Sequence, residues 1–264
     1  MNFRGDSLLN QVRKVLGVQR KLVAVPRAIG TESSRRINRL LNLVEGPTSY
    51  LEIGIFDGRT FEAVAAANRV GVDPDPRFES RQMMASSRVY RTCSDPFFAA
   101  FGSRRTFDGV LVDGLHHFEQ ALRDLLNSLL ILREGGFVLV DDTVPCDPTS
   151  AIRDREESKR QRMELGLPGQ PWHGDVWKIL PYLSASDLAV DWRTISSGSN
   201  CQTLVWCNET PDRALRVDDR LAQSVNRLSF QEIFGAETTF RVMFRPCSED
   251  DAIKTWASWR KSLK

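Results

Sequence analysis

Short apolar runs alternate with amphipathic segments along the middle of the chain. Five of these runs predict buried strands: "SYLEIGIF", "RVGVDP", "SRVYRTCSD", "FDGVLVDG" and "GFVLVDDT". Between the last two, Phe118, Leu122 and Leu125 recur at helical spacing, and the helix is predicted to stop at Gly135 and Gly136. Short apolar strands that alternate with helices predict a parallel sheet covered on both faces.

Two later runs, "DLAVDWRTI" and "CQTLVWC", predict an antiparallel hairpin at the edge of that sheet. The predicted fold is a Rossmann-like, doubly wound α/β fold with seven strands, mostly parallel, and one antiparallel edge strand. We predict an N-terminal helical extension over residues 1–32, a core domain over 33–208, and a C-terminal helical extension over 209–264 packed on the same domain. The charged and then glycine- and proline-rich stretch 148–173 is predicted to be either a solvated helix and loop or a lid.

Composition narrows the class of protein. Of 264 residues, 41% are hydrophobic and 27% are charged, which is typical of a soluble globular protein. The net charge of +2 is too small to indicate a nucleic-acid partner, and no apolar run is long enough to predict a membrane span. Five cysteines without a Cys-x-x-Cys pair indicate reduced thiols, and the N-terminus shows no signal-peptide pattern. We therefore expect a cytoplasmic protein, and its terminal helices would allow a homodimer.

The first strand leads into a turn with two glycines, Gly54 and Gly58, after the acidic residue Glu52. Ligands of open α/β sheets bind at the carboxyl ends of the strands, where this turn lies. Its spacing differs from the Gly-x-Gly-x-x-Gly of dinucleotide-binding proteins and favours a nucleoside over a dinucleotide. Asp73, which ends the next strand, is placed to accept hydrogen bonds from ribose hydroxyls.

"YLEIGIFDGRT" and "VGVDPDP" resemble the first two motifs of class I S-adenosylmethionine-dependent methyltransferases. The resemblance implies that Glu52 and Gly54 lie near the methionine part of the cofactor, Gly58 and Thr60 near the turn, and Asp73 at the ribose. It also implies that Ser94 and Asp95 lie near the adenine, although a Ser-Asp pair is also a common helix cap.

Acidic residues follow the fourth and fifth predicted strands. Asp113 ends "LVDG", and Asp141 and Asp142 end "VLVDD". Because these strands are neighbours in the predicted fold, their ends lie roughly 5 Å apart and the three carboxylates converge beside the cofactor. Clustered anions repel one another, and a hard cation such as Mg²⁺ would offset their charge. Alternatively, Asp142 caps a helix or an arginine pairs with one of the acids.

The wider stretch from "FDGVLVDGLHHFEQ" to "VLVDDTVP", together with "GDVWK", resembles bacterial metal-dependent sugar O-methyltransferases of antibiotic deoxysugars and cell polysaccharides. The second aspartate of their Asp-Gly-Asp pattern, which is taken to be the general base in some relatives, is Leu115 here. If a general base is needed, it must therefore come from elsewhere. His116 is the first candidate, because an imidazole pKa near 6.5 suits proton removal. His117 and His173 are the others, while a histidine at a helix start can also serve only the backbone.

The predicted reaction transfers a methyl group from S-adenosylmethionine to a hydroxyl of a sugar or glycoside, either a small molecule or an oligosaccharide, with Mg²⁺ assisting. Trp172 and Trp177 could stack on a sugar ring or belong to the core. A catechol is the alternative acceptor, and a metal-free methyltransferase using histidine alone remains open. A nicotinamide-dependent oxidoreductase is disfavoured by the glycine spacing and the absence of a Tyr-x-x-x-Lys pair. A non-catalytic cofactor-binding protein would not need the acidic residues.

Overall fold

The computed structural model describes residues 30–77, 86–101, 106–169, 171–198, 200–209 and 215–263. The helix predicted near Leu8 to Leu16 lies outside the described residues. The strands are β1 (Ser49–Ile53), β2 (Asn68–Val72), β3 (Ser87–Tyr90), β4 (Phe107–Val112), β5 (Leu132–Val140), β6 (Val190–Ile195), β7 (Gln202–Cys207) and β8 (Pro246–Cys247).

Within the described residues these strands form one sheet in the order β3-β2-β1-β4-β5-β7-β6-β8. The pairs from β3 to β5 are parallel, and β7 is antiparallel to both β5 and β6. The mostly parallel α/β sheet and the β6–β7 hairpin follow the sequence pattern. Three details differ: the antiparallel strand β7 lies inside the sheet, a short eighth strand, β8, pairs with β6 in parallel at the edge, and Gly135 and Gly136, predicted to end a helix, lie within β5. Two residues of strand carry no alternation, so the sequence pattern could not reveal β8.

The described helices are α1 (Glu32–Leu41), α2 (Arg59–Ala63), α3 (Ser94–Phe101), α4 (Phe118–Ile131), α5 (Arg155–Glu164), α6 (Ile179–Ala185), α7 (Asp219–Asn226), α8 (Phe230–Phe234), α9 (Glu237–Phe244) and α10 (Glu249–Ser262), with a 3₁₀ turn at Val176–Lys178. None of them has the length and apolar character that crossing a membrane requires.

Alternate residues of the central strands point to opposite faces of the sheet and build two apolar layers. On one face, Val110 of β4 and Val138 of β5 pack with Leu122 of α4. On the other face, Leu111 and Leu139 pack with residues of α1, α2 and α10. In that second layer the ring of Trp256 meets Phe137 edge-on, with 5.4 Å between ring centroids. The C-terminal helix α10 therefore completes the cover of the sheet.

Candidate functional site

The loops that follow β1, β2, β4 and β5 meet at one edge of the sheet. Hydrogen bonds continue just past the strand ends: Gly54 N donates to Val72 O (2.8 Å), Asp113 N to Ile53 O (2.9 Å) and Asp141 N to Val112 O (3.0 Å). The first residue of each loop is thus fixed by its neighbouring strand. This rigid edge is where a doubly wound sheet places its ligand.

The turn after β1 has an unusual backbone. Gly54, Phe56 and Gly58 have φ angles of 85°, 46° and 78°, all in the left-handed region. A Cβ on Gly54 would lie 1.8 Å from the carbonyl oxygen of Asp113. Glycine is therefore required at position 54, because the turn after β1 lies directly against the loop after β4.

Asp73 holds this turn in place. Its Oδ2 accepts hydrogen bonds from Ile55 N and Phe56 N, both at 2.9 Å, and its Oδ1 accepts one from Asp75 N at 2.7 Å. A carboxylate can accept about four hydrogen bonds, so three of these positions already serve the backbone. Asp73 thus shapes the surface that would face a nucleoside, and its contact with the ribose stays a prediction.

Two other predicted cofactor residues serve the scaffold in this structure. Glu52 is 1% exposed and accepts a hydrogen bond from Tyr50 Oη at 2.6 Å, and burial raises the pKa of its carboxyl well above the usual range. The hydroxyls of Thr60 and Thr31 lie 2.8 Å apart and join the starts of α2 and α1. Their predicted contacts with the cofactor remain untested by this geometry.

Ser94 and Asp95 form the first turn of α3, and Gln120 of α4 donates to both, at 3.0 and 3.1 Å. The same amide donates to Asp124 Oδ1 at 3.0 Å, while Asp124 Oδ2 is buried without a hydrogen-bond partner. Burial raises the pKa of Asp124 to about 6. The sequence interpretation missed Asp124, although an acid between Leu122 and Leu125 on a buried helix was a visible signal.

Asp113, His116 and Asp142 form the centre of the site, and we call them the acid–histidine cluster. One ligand atom from each lies within 4.8 Å of the other two. His116 Nε2 is 3.0 Å from Asp142 Oδ2 and 3.6 Å from Asp113 Oδ1. The structure therefore brings together two of the predicted metal ligands and one predicted catalytic residue.

The charges of this cluster are incompletely balanced. Burial, and then the charge of Asp141, raise the pKa of Asp113 to about 6. Burial also raises the pKa of Asp142 well above its usual range. For His116, burial alone would lower the pKa, but the hydrogen bond to Asp113 and the charges of Asp142 and Asp113 raise it to about 9. At neutral pH the metal-free cluster thus holds a protonated imidazole between carboxyl groups.

Asp141 is oriented differently from its neighbour. Its Oδ1 accepts from the backbone N–H of Asp142 (2.8 Å) and its Oδ2 from the amide of Asn200 (3.3 Å). Asp142 adopts a left-handed backbone with φ 59°, which turns its carboxyl group toward His116. The prediction that Asp142 caps a helix has no counterpart here, since α5 begins only at Arg155.

The other two histidines lie at the margin of the cluster. His173 Nε2 is 3.8 Å from Asp142 Oδ1, and its Nδ1 is buried without a hydrogen-bond partner. Burial, and then the charge of His116, lower the pKa of His173, so this imidazole is neutral at pH 7. His117 precedes α4 in an extended conformation, and its ring meets Trp172 edge-on at 6.5 Å.

The segment Trp172 to Asp175 fixes the position of His116. The Trp172 carbonyl lies 2.9 Å from His116 Nδ1, and the two rings stack with centroids 4.8 Å apart. A Cβ on Gly174, whose φ is 60°, would lie 1.9 Å from the carbonyl oxygen of His116. Asp175 Oδ1 accepts from Phe118 N at 2.7 Å and so caps α4. Trp172 already has a ring face against His116, and Trp177 is 2% exposed, so Trp177 belongs to the core.

The stretch 148–173, predicted to be a solvated helix and loop or a lid, contains α5. One face of this helix packs against the loop after β5. The guanidinium of Arg162, only 4% exposed as a residue, donates to Asp147 Oδ2 (2.6 Å), Thr149 Oγ1 (2.7 Å) and Pro168 O (2.9 Å). Ser158 Oγ donates to Thr149 O at 2.7 Å. These buried contacts hold the inner face of α5 against the loop after β5, while its outer face is solvated.

Comparison with known proteins adds a family model and structural likenesses. Residues 51–143 match the family model of a methyltransferase domain. Rv0187 from MTB, solved with a bound cofactor, is similar with 14% identity, a TM-score of 0.48, and coverage of 77% of this chain and 89% of that chain. The O-methyltransferase TomG from Streptomyces achromogenes, solved with S-adenosylmethionine (SAM), gives 15% identity, a TM-score of 0.45, and coverage of 78% and 91%. An O-methyltransferase from Bacillus cereus in complex with S-adenosylhomocysteine gives 14% identity, a TM-score of 0.41, and coverage of 77% of this chain and 90% of that chain. A search of curated proteins returned no match.

The range that matches the family model begins in β1 and ends just after Asp142. It contains the glycine turn, Asp73 and the whole acid–histidine cluster, so the matched domain and the site built from the residues coincide. The candidate site of this chain therefore lies within its match to a methyltransferase domain.

Proposed function

We propose that this protein is an S-adenosylmethionine-dependent methyltransferase that acts on oxygen, requires a divalent cation such as Mg²⁺, and methylates a hydroxyl of a sugar or glycoside. The observation that carries the proposal is the acid–histidine cluster at the ligand edge of the sheet. Two carboxyl groups with raised pKa values converge there on one imidazole. The sugar acceptor is supported by the resemblance of the Asp141-Asp142 pair and "GDVWK" to sugar O-methyltransferases.

The donor set fits a hard cation. Carboxylate oxygens are the preferred ligands of Mg²⁺, and an imidazole nitrogen is a common additional ligand of divalent metals. Asp113, Asp142 and His116 would hold the ion, and Asp141, bound to Asn200, would add negative charge beside them. When bound, a divalent cation would lower the pKa of a coordinated acceptor hydroxyl.

His116 is better suited to hold a cation than to remove a proton. A carbonyl oxygen only accepts hydrogen bonds, so the contact with Trp172 O assigns a proton to His116 Nδ1 and leaves Nε2 toward the carboxylates. Without a metal, Nε2 is also protonated near neutral pH, because its pKa is raised to about 9. A metal ion must displace this proton, as it must for any imidazole ligand.

His173 has the protonation state that a general base needs. Its pKa is lowered by burial, so the ring is neutral, and it borders the cluster through Asp142. Its backbone is fixed by the hydrogen bond from His173 N to Ser150 O at 2.9 Å. We therefore assign proton removal to His173 and the third ligand position to His116, with His117 outside both roles.

The first test is calorimetric titration of S-adenosylhomocysteine into the purified protein, with NAD as a parallel ligand. We expect S-adenosylhomocysteine to bind and Asp73→Ala to weaken it, because Asp73 holds the turn of Gly54 to Gly58. Absence of binding, or tighter binding of NAD, would contradict the proposed function.

The second test measures methyl transfer to neutral glycosides and to catechols, with Mg²⁺ and with a chelator. The variants are Asp142→Asn and, as the matched neighbour, Asp141→Asn. Loss of a cluster ligand should lower kcat/KM by about a hundredfold or more, whereas Asp141→Asn should have the smaller effect. Full activity in the presence of the chelator would contradict the proposed requirement for a metal. Methyl transfer to catechols but not to glycosides would show that the acceptor is a catechol.

A further inference from the structure

A cleft of about 530 Å³ is lined in part by Asp175, which belongs to the segment that holds His116 of the acid–histidine cluster. Three hydrogen bonds connect the lining of this cleft to His116 and its neighbours. Asp175, which lines the cleft, donates its N–H to His116 O (3.3 Å) and accepts from Phe118 N (2.7 Å). Ile152, which also lines it, accepts from the indole of Trp172, whose ring stacks on His116. A volume of this size is typical of ligand sites.

Five polar residues of the cleft form a closed ring of hydrogen bonds and ion pairs. Arg153 Nη1 donates to Glu119 Oε2 (2.6 Å) and Asp175 Oδ2 (3.1 Å). Lys178 Nζ lies 3.6 Å from Asp175 Oδ2 and donates to Asn226 O (2.8 Å) and Asn226 Oδ1 (3.0 Å). Asn226 Nδ2 donates to Glu119 Oε1 at 2.9 Å and closes the ring.

The charges of this ring balance, since Arg153 and Lys178 face Glu119 and Asp175. A site for phosphate or carboxylate ligands would need an excess of positive charge, which these four residues do not have. Hydroxyl groups can both donate and accept, so they can join a balanced network without leaving a charge unpaired.

Apolar residues complete the wall of the cleft. Ala151 belongs to the loop after β5, while Leu228 and Phe230 belong to the C-terminal part of the chain, which also supplies Asn226. Hydroxyl-binding groups beside apolar surface suit a sugar ring, which has polar edges and an apolar face. The helices α7 and α8 and the link between them thus supply three of the eleven residues that line the cleft.

We propose that this cleft is the acceptor subsite and binds an uncharged, polyhydroxylated part of a glycan or glycoside beside the hydroxyl that is methylated. The proposal rests on the proposed function for the reaction itself. It extends that function by naming the surface and the charge class of the acceptor, and it assigns a role to the C-terminal helices.

The test is binding of the full-length protein, with S-adenosylhomocysteine and Mg²⁺ present, to an array of neutral, carboxylated and phosphorylated oligosaccharides. Phe230→Ala removes an aromatic wall of the cleft. Phe240→Ala is the matched control, because Phe230 and Phe240 both contact Phe234 (4.5 and 5.6 Å between centroids) and Phe240 lies outside the cleft. Glu119→Gln unbalances the polar ring at a partly exposed residue. Calorimetric binding of S-adenosylhomocysteine shows that each variant is folded.

We expect the wild type to bind neutral glycans, Phe230→Ala to weaken that binding by about tenfold, and Phe240→Ala to stay within about twofold. Glu119→Gln should also weaken the binding of neutral glycans. Preference for the charged glycans, no glycan binding, or equal binding by the wild type and Phe230→Ala would overturn the subsite. Neutral-glycan binding through Phe230 without any binding of S-adenosylhomocysteine would confirm the cleft and contradict the proposed methyl transfer.

Discussion

Two groups of partly buried charges in this protein are built in opposite ways. The arginine cluster comprises Arg35, Arg36, Arg39, Glu32 and Glu249, and it joins α1 to α10. The side chain of Arg36 is fully buried, and it donates to Glu249 Oε2 (3.1 Å), Glu32 Oε1 (2.7 Å), Gln202 Oε1 (2.8 Å) and the backbone oxygens of Asn200 and Ser197. Each of its nitrogens has a partner.

The carboxyl groups of the two clusters differ in the direction of their pKa shifts. In the arginine cluster, burial would raise the pKa of Glu249, but hydrogen bonds from Arg35, Arg39 and Arg36 lower it to about 2. The pKa of Asp113 is instead raised to about 6, because burial and Asp141 outweigh the help from His116. Burial of charge alone therefore does not mark a functional site here. A charge that the protein leaves unmatched at the ligand edge of the sheet is the stronger indication of a ligand site.

The largest expected effect tests the matched cluster. Arg36→Leu leaves Glu249 and Glu32 without their buried partner and should lower the free energy of unfolding by about 3–5 kcal/mol. Arg35→Ala is the control, because the side chain of Arg35 is 51% exposed and its ion pair is worth about 1 kcal/mol or less. Urea denaturation of both variants measures the difference, and equal losses would show that the cluster acts only at the surface.

The second effect concerns a buried carboxyl group that stands outside both clusters. Asp124 has a folded pKa of about 6 against an ordinary 3.8, so the wild type loses stability as pH rises through this range. Asp124→Asn removes that loss and should stabilise the protein by at most about 3 kcal/mol above pH 6, and little near pH 4. Thermal denaturation at both pH values measures the change.

Asp108→Asn serves as the counterpart of this substitution. Asp108 is also buried, but its Oδ2 accepts from Ser49 N and Arg133 Nη1, both at 2.7 Å. The loss of this charged acceptor should destabilise the protein at the pH where Asp124→Asn stabilises it. If both variants shift the melting temperature in the same direction, the distinction between matched and unmatched carboxyl groups fails.

The sequence predicted the sheet and the edge that carries the site, because apolar runs and the acids that end them are local patterns. Asp113, Asp142 and His116 were predicted as site residues, and the structure brings their side chains together. The orientation of Asp141 away from the cluster was not predicted, since it depends on the left-handed backbone of Asp142 and on Asn200, which lies 59 residues from Asp141. The hydrogen bond between His116 Nδ1 and Trp172 O, which joins residues 56 positions apart, could not be predicted from sequence spacing either.

The third effect tests whether the segment Trp172 to Asp175 positions His116. Gly174 and Gly166 have similar φ angles, 60° and 63°, but a Cβ at 174 would meet His116 O at 1.9 Å, whereas a Cβ at 166 would meet nothing within 4 Å. Gly166→Ala should cost about 1 kcal/mol for its backbone alone, and Gly174→Ala about 1–2 kcal/mol more. Gly174→Ala should also lower methyltransferase activity, because it displaces the backbone of His116. Equal costs and unchanged activity would mean that the Trp172 to Asp175 segment does not position the cluster.

The smallest effect in free energy is the sharpest test of the unmatched cluster. The side chain of Asp113 is 35% exposed, so solvent screening reduces the cost of its raised pKa to about 1 kcal/mol. Because the charged form is disfavoured in the folded state, Asp113→Asn should raise the melting temperature slightly above pH 6, without metal, and leave it unchanged near pH 4. If the cluster holds the proposed ion, added Mg²⁺ should reverse the order, because binding of the ion would stabilise the wild type but not the variant. Melting curves at two pH values, each with Mg²⁺ and with a chelator, separate the contributions. A variant that is less stable than the wild type without metal would show that the protein itself already matches the charge of Asp113.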